Sequence, residues 1–220
     1  MTTVLALADE VHESLYGPKL RSLRPDVVVA CGDLPFDYLE YIVTMTNVPL
    51  LYVPGNHDPD LSKRVSSPDH PPIMSAPIAD LLVDPPGPRG CISVDGAVCD
   101  AAGITVAGLG GSIRYSAGPN QYTQGEMTRR ALRLELKHAR RRLRGRRRIE
   151  VLLTHSPPLG LGDGRDPAHQ GFKAFHRLVE KLGPNVLIHG HVHPYGTPSG
   201  DFSVGATRVV NAVAYKMLEV

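Results

Sequence analysis

Aspartate, asparagine and histidine recur in this chain in short groups, each following an apolar run. Asp9 closes the run 4–8, Gly32-Asp33 follows 27–30, and Gly55-Asn56-His57-Asp58 follows 50–53. Thr154-His155 follows 151–153, and Gly190-His191-Val192-His193 follows 186–188. Carboxylate oxygen, amide oxygen and imidazole nitrogen suit borderline divalent metals of the Mn, Fe or Zn type. Asp33 can bridge two such ions with one oxygen on each. Asn56, His155 and His191 complete the shell of one ion with Asp33, while Asp9 and His193 hold the other. His191 and His193 are two apart, so an extended backbone points both the same way. A hydroxide trapped between two such ions is a nucleophile at neutral pH. His57, beside a ligand but not needed as one, is placed to protonate a leaving oxygen.

Ligands that all sit just past apolar runs require those runs to end at one edge of a sheet. The runs are nearly continuous Val, Leu and Ile with little alternation, which predicts strands covered on both faces. Helices are predicted between them at 18–23, 35–45, 123–143 and 167–182, giving an α/β order with an irregular middle. Residues 54–88 are crowded with proline and predict an extended surface loop along one wall of a cleft. Asp95-Gly96, flanked by 91–94 and 97–99, predicts a hairpin. In the longest helix Thr123 and Glu126 have capping-box spacing, and Leu132, Leu136, Ala139 and Leu143 share the stripe expected to pack. The other faces and the segment up to 148 are rich in arginine, a solvated surface or a phosphate-binding patch without interleaved aromatics.

These groups resemble, in order, the signatures of the calcineurin-like metallophosphoesterase family, from Asp9 to the strand pair after His193. The resemblance implies a two-sheet sandwich flanked by helices (α/β/β/α), two metals and hydrolysis of phosphoester bonds. It also covers Gly110-Gly111-Ser112 after the run 104–109. One departure stands out: the family's Asp-x-His reads Asp9-Glu10-Val11 here. Valine cannot ligate, so the Asp9/His193 metal position is expected to be weaker, completed by water or by His12. A single ion on Asp33, Asn56, His155 and His191 is the next alternative. Arg114 is a candidate phosphate contact, Asp37 a candidate to orient His57, and His189 a candidate support behind the ligands.

At 220 residues with 42% hydrophobic and 21% charged residues, the chain is expected to form a single domain over 1–220. Three cysteines without CxxC spacing fit a reducing compartment. The apolar run at the N-terminus is too short for a signal-peptide core, and no run reaches membrane-spanning length. A cytoplasmic phosphomonoesterase or phosphodiesterase acting on a small phosphoester is the leading expectation, with no membrane partner. The alternatives are a nuclease holding nucleic acid on the arginine-rich helix 123–148, and a non-catalytic metal- or phosphate-binding descendant of the fold.

Overall fold

A computed structural model describes residues 1–61, 87–193 and 202–220. Most of the proline-crowded loop expected at 54–88 lies outside the described residues.

Every apolar run named above forms a strand, and the strands divide into two main sheets. In the first, β1 (Thr3–Ala8), β2 (Val27–Ala30), β3 (Leu50–Tyr52) and β4 (Ile92–Ser93) run parallel, with β13 (Ala214–Glu219) antiparallel on β1. In the second, β6 (Ile104–Leu109), β9 (Val151–Thr154), β10 (Val186–His189) and β12 (Thr207–Asn211) run parallel. That sheet is edged by antiparallel β5 (Val98–Ala101) and β11 (Phe202–Val204). A small parallel pair, β7 (Ser112–Ile113) and β8 (Gln121–Tyr122), sits apart from both.

The near-continuous apolar runs are explained by burial of both faces. Along β1, Val4, Ala6 and Ala8 point into a layer between the sheets with Val29, Val106, Val151, Leu153 and Ile188. Leu5 and Leu7, one residue out of phase, enter the outer layer with Leu39 and Ile42 of α2 (Phe36–Thr46) and Leu20 of α1 (Pro18–Leu23). The second sheet's outer face is covered by α3 (Gln124–Leu143) and α4 (Ala174–Leu182), where Phe172 and Phe175 meet edge to face at 5.3 Å. The result is the expected mixed α/β architecture, two sheets between helical layers. Among the described residues, no helix is long and apolar enough to cross a membrane.

Three local expectations need correction. The Asp95-Gly96 turn forms, with the Ala97 amide donating to the Val94 carbonyl at 2.9 Å. Its flanks do not pair as a hairpin, because β4 joins the first sheet and β5 the second, so the turn carries the chain between sheets. The helix expected at 167–182 is a short 3-10 turn, Pro167–His169, then extended chain, then α4. The Phe172 amide donates to the Pro157 carbonyl at 3.1 Å, which holds the segment between turn and helix open. Finally, α3 begins with the expected capping box but packs on Met127, Ala131 and Leu134. Leu132, Leu136 and Leu143 lie on an exposed stripe, Leu143 at 88%.

Candidate metal centre

The parallel strands of both sheets deliver their carboxyl ends to one place, which is where ligands bind in open α/β sheets. At the ends of β1, β2 and β10 the chain turns out of the strand at once. Asp9, Asp33 and His191 have φ of 60°, 56° and 68°, a left-handed conformation that costs a non-glycine residue of the order of 1 kcal/mol or more. Strain repeated at three polar residues in one place marks a site rather than a packing solution. Ligand atoms of Asp9, Asp33, His155 and His191 all lie within 4.8 Å of one another. Asn56 joins them, with Oδ1 3.0 Å from His155 Nε2.

Each member is aimed by a second bond. His155, fully buried, donates from Nδ1 to the Cys31 carbonyl at 2.7 Å and turns Nε2 inward, 3.3 Å from Asp33 Oδ2. His191 donates from Nε2 to the Ala168 carbonyl at 2.9 Å, so its neutral ring keeps the lone pair on Nδ1. Its own amide donates to Asp9 Oδ2 at 2.9 Å. Asp33 Oδ1 accepts the His57 amide at 2.8 Å. Asp58, buried, closes the loop by accepting the amides of Gly55 at 2.7 Å and Asp33 at 3.0 Å. Glycine is required at 55 and 190, because a Cβ there would overlap Asp33 Oδ1 and Asp9 Oδ2 respectively.

The charges respond to one another. Burial opposes a charged His155, yet the hydrogen bond and charge of Asp33, with the charge of Asp9, raise its pKa to about 9. Burial also opposes a charged Asp33, but His155 and the His57 amide outweigh it and hold the carboxyl below its usual range. Burial raises the Asp9 carboxyl, against the pull of His155. Burial and the neighbouring His155 charge press His191 down to about 3, and burial presses His189 down to about 4. Converging carboxylates, an amide oxygen and inward imidazole nitrogens, with no lysine or arginine in the cluster, fit a divalent cation.

The remaining expected site residues fall on both sides of this line. His57 is exposed beside the cluster. His193 stands next to it, with Nδ1 2.7 Å from Glu10 Oε1, and is not one of the four clustered residues. His12 is not brought in: its Nδ1 meets Ser14 Oγ at 2.8 Å and its ring meets Tyr215 edge-on at 4.8 Å. Val11 packs on the outer apolar layer of the first sheet. Asp37 is exposed in the first turn of α2, where Oδ1 accepts the Tyr38 amide at 2.9 Å. Arg114 is taken by Glu126, 2.9 Å away, at the start of α3. His189 is buried and bonded to the Gly190 carbonyl at 2.9 Å, behind the ligands. Arg141 in the last turn of α3 binds Asp100 of β5, and Arg148 beyond the helix binds Asn185 just before β10, both at the end of the second sheet opposite the cluster.

Sequence reading missed Tyr115, whose hydroxyl accepts from Asn56 Nδ2 at 3.1 Å. It also missed His169, whose ring packs on His191 at 5.1 Å between centroids. Neither follows an apolar run, so neither carried a signal.

The family profile of calcineurin-like phosphoesterases matches residues 4–195, and the chain belongs to that family. It is thus a metal-dependent phosphoester hydrolase in the general sense of the family, with an Asp/His cluster that could hold a divalent metal. One solved crystal structure superposes with a TM-score of 0.60 at 19% identity, covering 96% of this chain and 90% of that one. The crystal structure of TT1561 of Thermus thermophilus gives a TM-score of 0.57 at 19% identity, covering 96% and 88%. At that identity the likeness speaks for the fold alone. No curated protein matches the chain in sequence.

Proposed function

We propose that the chain, acting as one domain over residues 1–220, hydrolyses a small or accessible phosphoester, a phosphomonoester or phosphodiester. The observation that carries the reading is the convergence of Asp9, Asp33, Asn56, His155 and His191 at the carboxyl ends of both sheets. These residues would hold the divalent metal, of the Mn, Fe or Zn type, and His193, whose charge is felt by Asp9, would extend the set towards a second, weaker ion. When bound, such a cation polarises a phosphoryl oxygen and makes water nucleophilic at neutral pH.

The protein's own groups do the rest. The Cys31 and Ala168 carbonyls hold Nδ1 of His155 and Nε2 of His191 as donors, so the other nitrogen of each ring would offer its lone pair to the metal, His155 once its second proton is displaced. Asp58 holds the Gly55-Asn56-His57 loop against Asp33, and the Asp33 bond to the His57 amide keeps that residue at the rim. From there the exposed His57, in its imidazolium form, would give a proton to the leaving oxygen as the ester bond breaks and be left as neutral imidazole. Water completes the phosphate, and a product alcohol leaves neutral.

The test is hydrolysis of p-nitrophenyl phosphate and bis(p-nitrophenyl) phosphate by protein loaded with each metal. Asp33→Asn and His191→Ala should remove activity together with bound metal. Full activity in either variant would overturn the reading.

A further inference from the structure

Tyr115 stands at the lip of the metal centre, in the chain joining β7 to β8, and is 44% exposed. Its backbone is held from below. Gln121, buried, accepts the amides of Tyr115 at 3.1 Å and Ser116 at 2.9 Å on one carbonyl oxygen. The phenol oxygen accepts from Asn56 Nδ2 at 3.1 Å, while the other end of the same carboxamide faces His155 Nε2 at 3.0 Å. An amide nitrogen only donates, so this bond occupies a lone pair of the phenol and leaves its hydrogen uncommitted. Among the described residues nothing accepts that hydrogen.

The nearest cation in the sequence is engaged away from the clustered residues through its Nη2. Arg114 commits its guanidinium to Glu126 at 2.9 Å and to the Gln121 carbonyl at 3.2 Å. Tyr115 therefore brings an uncommitted donor to the lip of the site, tied through the Asn56 carboxamide to the clustered ligand atoms.

We propose that Tyr115 is a substrate-binding residue whose O–H donates to a non-bridging phosphoryl oxygen, with Asn56 fixing the phenol in that pose. This deepens the phosphoesterase reading and rests on it. A hydrogen bond to a charged acceptor is among the stronger ones, so removing the hydroxyl should cost about 10- to 100-fold. The ring is exposed, and Tyr115→Phe leaves packing intact.

The experiment uses metal-loaded full-length protein and Tyr115→Phe. It reads metal content by mass spectrometry, inhibition by inorganic phosphate, and kcat and KM for the two nitrophenyl esters. The expected result is unchanged metal content, an inhibition constant for phosphate raised about tenfold or more, and kcat/KM lowered about 10- to 100-fold. Unchanged phosphate inhibition and kcat/KM would overturn the proposal. So would a loss that merely follows lost metal, since Tyr115 would then act only by holding Asn56. If the unaltered protein turns over neither ester, the phosphoesterase reading fails on its own. Calorimetric titration of phosphate into the metal-loaded protein and Tyr115→Phe still decides the role of the phenol: equal affinities, or no phosphate binding at all, overturn it.

Discussion

The amide of His191 donates to Asp9 Oδ2 across 2.9 Å and so ties the end of β10 in one sheet to the end of β1 in the other. The contact is tight because residue 190 has no side chain: a Cβ there would overlap both Asp9 Oδ2 and the Ala8 methyl. Gly190→Ala should therefore push the Asp9 carboxylate out of the cluster. The expected cost is about 1–3 kcal/mol, as for other overpacked positions, together with lost metal. Gly125→Ala, where a Cβ meets nothing within 4 Å, is the control and should stabilise by up to about 1 kcal/mol. Urea denaturation and metal analysis of the two variants check both statements.

Stability of the metal-stripped protein should peak near pH 6.5. His155 has a folded pKa of about 9, above its ordinary 6.5, so its contribution is complete below pH 6.5 and is lost as pH rises through about 9. The lowered Asp33 carboxyl is the other side of the same interaction, present above its ordinary 3.8 and lost as pH falls through its folded value. His191 and His189 are held neutral, at about 3 and about 4, so acid favours the unfolded chain as pH falls from 6.5 towards those values. Melting temperature after chelation, followed across this range, should trace the maximum. His155→Gln should flatten the alkaline limb, and a limb unaltered by that change would contradict the assignment.

The Asp58 carboxylate serves two amides, those of Gly55 and Asp33, in a buried loop. Asp58→Ala strands both, at about 1–3 kcal/mol each, and releases the loop that carries Asn56 and His57. Both bonds end on the same oxygen, Oδ2, so Asp58→Asn can keep that acceptor and should lose much less than Asp58→Ala. Stability and metal content should fall in the same order across the two variants.

The parts of this molecule that were legible in the sequence share a physical cause. Strands buried on both faces read as unbroken apolar runs, so β1, β2, β3, β6, β9 and β10 and the polar residues at their ends could be found directly. The start of α3 was legible because a capping box is local. What failed was decided at long range. Asp95-Gly96 makes the same turn whether its flanks pair together or join different sheets. Leu132 and Leu136 form as good a helical stripe as Met127, Ala131 and Leu134, and only tertiary packing selects between them. Tyr115 reaches Asn56 across 59 positions, which no spacing announces.

Val11 and His12 allow the sharpest test of that boundary. The missing ligand at position 11 invites repair by Val11→His, and the neighbouring His12 looks able to stand in. The structure argues against both. Val11 packs with the apolar layer outside the first sheet, so an imidazole there would exchange buried hydrocarbon for a polar ring. His12 is anchored by Ser14 and by the edge contact with Tyr215, away from the four clustered residues. Val11→His should lower stability by about 1–3 kcal/mol and leave metal stoichiometry unchanged. His12→Ala should lose about 0.5–1.5 kcal/mol from the aromatic contact, again without loss of metal. Metal content measured beside the denaturation midpoint separates these outcomes. A second equivalent of metal in Val11→His would mean that the loop after β1 can turn residue 11 towards Asp9.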